Sequence, residues 1–137
     1  MTAKQYLSRA YNLRRRIAAK EMRLVELRVQ AEHITANMDG MPHGSAPGSP
    51  VERAAVQLSD LYYEIQDDLL SLLEYSDDIA KTIERIEDPV LYQLLSMRYL
   101  SYKSWREIAD AMHYSTRHVT RLHRKALCLI DDVLECP

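Results

Sequence analysis

The sequence is poor in residues that favour turns, with 3 glycines and 5 prolines among 137 residues. An all-β sandwich or barrel needs frequent turns, so this composition argues against both. The glycines, which are Gly40, Gly44 and Gly48, also cannot form the Gly-rich phosphate loop of a nucleotide-binding α/β fold. The small number of glycines and prolines therefore favours an all-α protein.

Long apolar runs and paired cysteine motifs are missing as well. No apolar run approaches the roughly 20 residues that cross a membrane, and the polar start of the chain lacks the apolar stretch of a signal peptide. Cys128 and Cys136 have a spacing that fits no metal motif. We expect a cytoplasmic protein with reduced thiols, with no membrane partner and no metal or other cofactor.

The net charge of −2 hides a strong asymmetry along the chain. Residues 1–37 carry eight basic and three acidic residues, whereas residues 51–88 carry three basic and eleven acidic ones. Residues 89–137 carry seven basic and five acidic ones. The opposite charges of the first two segments are most simply explained if these segments lie side by side. A basic arm in the first segment that binds nucleic acid is the alternative.

Two heptad patterns predict two long helices. Residues 3–38 and 51–87 place apolar side chains at alternating spacings of three and four residues, as coiled coils do. Residues 39–50 contain all the glycines and three of the prolines, which predicts the loop of an antiparallel hairpin. The predicted seam consists of Ala3, Tyr6, Ala10, Leu13, Ile17, Lys20, Leu24, Leu27, Ala31, Ile34 and Met38 on the first helix and Val51, Ala55, Leu58, Tyr62, Ile65, Leu69, Leu72, Ser76, Ile79, Ile83 and Ile86 on the second.

The acidic pairs Asp67-Asp68 and Asp77-Asp78 are interpreted as flank charges of this hairpin. In its register Lys20 lies within reach of Asp67 or Asp68, which would offset a lysine in the seam. No nucleophile, histidine or metal-ligand set accompanies either pair. We therefore predict no catalytic residues and no enzyme.

The chain after Pro89 predicts three shorter helices over residues 90–100, 104–112 and 115–134. The second begins with a capping box, Ser104-Trp105-Arg106-Glu107. His113-Tyr114 then form a tight turn, and Ser115 caps the longer third helix. A short helix, a tight turn and a longer helix make a helix-turn-helix.

Between Thr116 and Lys125, the exposed positions of the last helix contain several cations and no acid. Arginines near the start of such a helix can bridge guanine acceptors in the major groove, and the cations further along can hold phosphates. We therefore predict that a helix over 115–128 reads double-stranded DNA. The predicted DNA-binding residues are Lys103, Ser115, Thr116, Arg117, His118, Thr120, Arg121, Arg124 and Lys125.

The segment Ser104–Val119 resembles region 4 of bacterial sigma factors, and Arg121–Leu127 and Leu95–Leu100 are similar to the flanking parts of that region. The whole chain resembles small phage and prophage proteins of Gram-positive bacteria in which a loop such as Gly40-Met41-Pro42 precedes the second long helix. The related RinA and ArpU types imply a late-gene transcriptional regulator. His113 stands where sigma factors usually have glycine, and no sigma region 2 is present, so promoter melting is not expected.

Two other functions stay open, namely a phage packaging component of the small-terminase type and an interaction protein that binds RNA polymerase. Domains are predicted at 1–88, for oligomerisation or partner binding, and at 89–137, for DNA. A homo-oligomer, with a dimer favoured, would supply two recognition helices for two half-sites. The hairpin alone is expected to leave one apolar flank uncovered, part of which residues 90–100 could cover; it consists of Leu7, Tyr11, Ala18, Leu61, Leu73 and Ala80.

Overall fold

The computed structural model describes residues 1–37 and 48–135, and within them it is all-helical, as predicted. No helix in these ranges is long and apolar enough to cross a membrane. The predicted loop up to residue 47, which includes Gly40-Met41-Pro42, lies outside the described residues, as do Met38 and Cys136. The helices are α1 Ala3–Asn37, α2 Pro50–Glu84, α3 Pro89–Tyr99, α4 Trp105–Met112 and α5 Thr116–Glu135.

The chain forms two compact units. The central unit is Arg14–Ser71, and the terminal unit combines Met1–Leu13 with Leu72–Pro137. The long helices α1 and α2 each contribute to both units. The functional division at residue 88 stays a prediction, but the start of α1 belongs to the same compact unit as the helix-turn-helix.

In the central unit, α1 and α2 meet through the predicted seam of α1. From Ile17 to Ile34, every predicted seam position on α1 is buried or half-buried. Lys20 is half-buried, and its Nζ lies 2.8 Å from Glu64 Oε1 and 2.5 Å from Asp68 Oδ2. The prediction that Asp67 or Asp68 would meet Lys20 is therefore confirmed for Asp68.

The seam of α2 differs from the prediction in its first half. Leu61 is 8% exposed, whereas the predicted seam residue Tyr62 is 51% exposed. Asp68 is half-buried and Leu69 is exposed. Two heptad series fit α2, and they differ by one residue at every second position, as Leu61 differs from Tyr62 and Asp68 from Leu69. The observed series places Asp68 in the seam, where its carboxylate offsets the half-buried ammonium of Lys20. Ala55 is likewise exposed, with Ala54 half-buried in its place.

In the terminal unit, the start of α1 runs antiparallel to the end of α2. Tyr6 Oη lies 3.0 Å from Thr82 Oγ1, and the Arg9 guanidinium lies 4.6 Å from the ring centre of Tyr75. The backbone N–H of Ala3 donates to Asp131 Oδ1 on α5 at 2.8 Å. Leu7 is fully buried in the same core as Leu91, Leu94 and Leu95, so residues 90–100 belong to the core that covers this part of the flank. Leu61, in the seam of the central unit, is buried too.

The terminal unit surrounds one core. Asp88 is the N-cap of α3, because its Oδ1 accepts hydrogen bonds from the N–H groups of Val90 and Leu91 at 2.9 and 3.3 Å. The helices α3, α4 and α5 then pack their apolar faces against the start of α1 and the end of α2. The core includes Leu7, Ile79, Ile83, Leu91, Leu94, Leu95, Ile108, Val119, Ala126 and Ile130.

Candidate nucleic-acid interface

The predicted cap holds the start of α4. Ser104 Oγ accepts from the N–H of Glu107 at 3.2 Å and donates to the Glu107 carboxylate at 3.1 Å. The side chains of Ser104 and Glu107 therefore hydrogen-bond to each other, and the serine also caps the helix. Ile108 and Ala109 follow as the buried face of this short helix, and both belong to the core that α5 also lines.

A left-handed residue makes the turn between α4 and α5. His113 has φ 60° and ψ 38°, and the N–H of Tyr114 donates to Ala109 O at 3.0 Å, which closes the end of α4. A side chain with a Cβ is strained in this conformation, which is why glycine is favoured there. The turn therefore has the left-handed geometry that glycine usually supplies, with histidine in that place.

The start of α5 is fixed by its cap and by an aromatic contact. Ser115 Oγ accepts from the N–H of His118 at 3.1 Å. The ring of His118 packs edge-on against Tyr114, with ring centres 4.7 Å apart. Further along, Val119 and Ala126 are fully buried and hold one face of α5 on the core. The opposite face must then point to solvent.

The predicted DNA-binding residues on α5 lie on this outward face. Lys103 does not, because it lies in the segment before α4, where its carbonyl accepts from Arg98 Nη1 at 3.0 Å. Lys103 and His118 are half-buried. The exposed residues are Ser115, Thr116, Arg117, Thr120, Arg121, Arg124 and Lys125.

The outward face of residues 115–125, at the start of α5, is positively charged and has no acidic neighbour on the helix. No acidic residue occurs between Asp110 and Asp131 in the sequence. Within residues 1–37 and 48–135, no ion pair at 4.0 Å or less involves Arg117 or Arg121. Arg117 therefore makes no ion pair with Asp110 or Glu107 that would steady the turn. Unpaired guanidinium groups on an exposed helix are available to external anions.

The hydroxyl groups on this face differ in what they can offer to a ligand. Thr120 Oγ1 donates to Thr116 O at 2.9 Å, so its hydrogen is already used within the helix. Ser115 Oγ accepts as the cap, and its hydrogen stays available for an outside acceptor. Ser115 is therefore the better donor to a phosphate oxygen, and Thr120 can only accept.

The core side of α5 contains a buried tyrosine–histidine pair that the sequence did not predict. Tyr99 Oη and His123 Nε2 lie 2.6 Å apart, and the Trp105 ring packs edge-on against His123 at 4.4 Å between ring centres. The Arg98 guanidinium lies over the Trp105 ring, 4.4 Å from its centre. His123 follows Val119 by four residues, a helical spacing that could have indicated its burial.

Burial changes the titration of this pair. It lowers the pKa of His123 to about 4, with further lowering by the positive charges of Lys4 and Arg98. It also raises the pKa of Tyr99 to about 12. Both side chains are therefore neutral near pH 7, and the ring of His123 is a structural member of the core.

Comparisons with known proteins do not assign a family to this chain. In the part of the chain that the structure describes, no group of three or more His, Cys, Asp or Glu side chains is placed to hold a metal ion. No protein-family model, curated protein or solved structure matches the sequence or the fold. The similarity to sigma region 4 therefore stays a prediction.

Proposed function

We propose that this protein is a sequence-specific, double-stranded DNA-binding transcriptional regulator of phage type. The observation that carries the proposal is the exposed basic face of residues 115–125 at the start of α5, which contains no acidic residue and is held outward by the packing of a helix-turn-helix. A cytoplasmic location, where bacterial DNA is found, belongs to the same proposal.

Position along α5 suggests different roles for its cations. Arg117 lies in the first turn, the part of a recognition helix that enters the major groove most deeply. Arg121 follows one turn later on the same face and can reach the next bases. Arg124 and Lys125 lie where such a helix leaves the groove and meets phosphates. Ser115 adds a hydroxyl donor at the N-terminal end, where anions are favoured.

The test is selection of bound DNA from a random pool, using the full chain. A regulator enriches a defined sequence, and its affinity for that sequence exceeds its affinity for random DNA by at least about 1,000-fold. Failure to enrich any sequence would contradict the proposal. Arg53→Ala serves as the control variant, because it removes the same charge from an exposed site on α2 and should leave the enriched sequence unchanged.

The same experiment addresses the other functions. A packaging component binds DNA with little sequence preference and forms a ring, which light scattering detects as a mass of many chains. A protein that only binds RNA polymerase retains no DNA at physiological salt. Either result would contradict the proposed regulator and assign a different function to the same basic face.

A further inference from the structure

A small cavity lies in the terminal unit, between the start of α1, the end of α3 and the start of α4. Its volume is about 80 Å³, which leaves room for a group of about five heavy atoms, the number in a phosphate. Among the described residues that line it, two are cations and none is acidic. The lining residues are Lys4, Ser8, Tyr11, Arg98, Tyr99 and Trp105. None of them belongs to α5, so the cavity is separate from the candidate DNA-binding face.

Two aromatic rings hold Arg98 at this cavity. The guanidinium carbon lies 4.4 Å from the ring centre of Trp105 and 5.6 Å from that of Tyr11. Nη1 donates to Lys103 O at 3.0 Å, which uses one of the five N–H groups of the guanidinium. No carboxylate within residues 1–37 and 48–135 lies within 4.0 Å of the guanidinium nitrogens. Arg98 is therefore a half-buried cation with free donors and no counter-ion in the described chain.

Lys4 and Ser8 present a second charge and a hydroxyl to the same cavity. They are one helical turn apart on α1, so both lie on the face that meets the cavity. Neither Lys4 Nζ nor Ser8 Oγ has a hydrogen-bond or ion-pair partner in the part of the chain that the structure describes. The positive charges of Lys4 and Arg98 both lower the pKa of His123, so both act on the same region of the core. Two like charges at one cavity repel each other, and a bound anion would remove that repulsion.

We propose that this cavity binds a phosphate group, whose charge is balanced by Lys4 and Arg98 and whose oxygens accept hydrogen bonds from the guanidinium and from Ser8 Oγ. A terminal phosphate carries a charge of about −1.5 to −2 at pH 7, which matches two cations. A carboxylate, or a phosphate of the DNA backbone, carries only a single negative charge. The charge therefore favours inorganic phosphate or the terminal phosphate of a small molecule as the ligand, with the DNA backbone as the other source. The proposal does not rest on the proposed function, because the cavity lies outside the face that would read DNA.

The first test uses Trp105, which is the single tryptophan of the sequence and lines the cavity. The full chain is titrated with inorganic phosphate to about 20 mM, while sodium chloride keeps the ionic strength constant. Trp105 fluorescence should change until it saturates, with a half-saturating concentration of about 1 mM or less. Acetate should need a concentration at least about ten times higher, because it offers one charge and two oxygens. The absence of a saturating response to phosphate, or an equal response to acetate, would overturn the proposal.

Matched substitutions of two exposed lysines test the location of the site. Lys4→Gln removes one charge from the cavity and should raise the half-saturating phosphate concentration at least about tenfold. Lys81→Gln removes the same charge from a side chain that pairs with Asp77 at 2.9 Å and does not line the cavity, so its response should equal that of the native protein. Phosphate should also raise the midpoint of thermal unfolding less in Lys4→Gln than in Lys81→Gln, because a ligand that binds only the folded chain stabilises it in proportion to its affinity. Equal phosphate affinities of the two variants would overturn the assigned site.

Duplex DNA separates the two sources of phosphate. If the ligand is a free phosphate, Lys4→Gln should bind duplex DNA as tightly as Lys81→Gln does, and native protein saturated with DNA should still respond to inorganic phosphate. If it is a backbone phosphate, Lys4→Gln should bind every duplex more weakly than Lys81→Gln, and inorganic phosphate should compete with DNA. Either result supports phosphate as the ligand chemistry, and we expect the first. A chain that selects a DNA sequence without binding phosphate would overturn this inference alone, whereas a chain that binds phosphate and selects no sequence would contradict only the regulator.

Discussion

Tyr99 and His123 share a buried hydrogen bond of 2.6 Å that joins α3 to α5. Since the opposite side of α5 carries the candidate DNA-binding residues, this bond helps to set which side chains face outward. Trp105 covers the histidine ring from α4, so one polar contact ties together the three helices of the helix-turn-helix.

Acid should destabilise the protein through His123. Its pKa is about 4 in the folded chain and 6.5 when unperturbed, so the unfolded chain binds an extra proton between these values. Stability from this group is fully present above pH 6.5 and falls as the pH drops towards 4, by about 2 kcal/mol. Urea unfolding at pH 7.5 and 4.5 measures it. His123→Gln should show a smaller loss over the same range, and an equal loss would show that His123 is not responsible.

Removing the phenol hydroxyl of Tyr99 should lower the free energy of unfolding. Tyr99→Phe leaves a buried nitrogen of His123 without its partner, which costs about 1–3 kcal/mol. Tyr114→Phe is the control, because Tyr114 is exposed and its loss of a hydroxyl should change stability by less than about 0.5 kcal/mol. Equal denaturation midpoints for the two variants would contradict this role.

Replacing the left-handed histidine should stabilise the turn. His113→Gly relieves the strain of a Cβ at φ 60° and should raise the free energy of unfolding by about 0.5–1 kcal/mol. His113→Val should lower it, since a β-branched side chain is least tolerated there. Thermal melting of both variants measures the difference, and a less stable glycine variant would show that the side chain of His113 contributes more than its conformation costs.

The ion pair of Lys20 and Asp68 in the α1–α2 seam should contribute to stability as a coupled pair. Asp68→Ala deprives the half-buried Lys20 of a carboxylate and should cost about 1–2 kcal/mol, whereas Lys20→Leu with Asp68→Leu should recover most of that loss. Asp67→Ala is the neighbouring control and should have little effect, because Asp67 is exposed. Chemical denaturation of the native chain, Asp68→Ala, Asp67→Ala and the double variant tests this, and a double variant no more stable than Asp68→Ala would contradict the prediction.

The cations of α5 should contribute unequally to DNA binding. Arg117→Ala should lose about 1–3 kcal/mol at the selected sequence and much less on random DNA. Arg124→Ala should weaken both about equally and reduce the slope of log affinity against log salt by about one. Titrations at two salt concentrations measure both effects. If Arg117→Ala loses no more at the selected sequence than at random DNA, Arg117 does not read bases.

Features that depend on near neighbours in sequence were predictable. The α1 seam from Ile17 to Ile34 follows directly from heptad spacing, and the caps at Ser104 and Ser115 follow from residue type. The choice of Leu61 over Tyr62 on α2 was not predictable, because both fit a heptad and only the partner of Lys20 decides between them. Burial of Leu7 and His123 depends on helices far away in sequence, which local periodicity does not specify.

The bond from Ala3 to Asp131 also bears on synthesis of the chain. The acceptor for the Ala3 N–H is encoded 128 positions later, so a nascent chain can complete the first turn of α1 only after Asp131 has been synthesised. The end of α2 and the α3 core, which also surround the start of α1, are synthesised earlier, so Leu7 has apolar partners before α5 exists. The contact that joins the two ends of the described chain is therefore the last part of the terminal unit that can form.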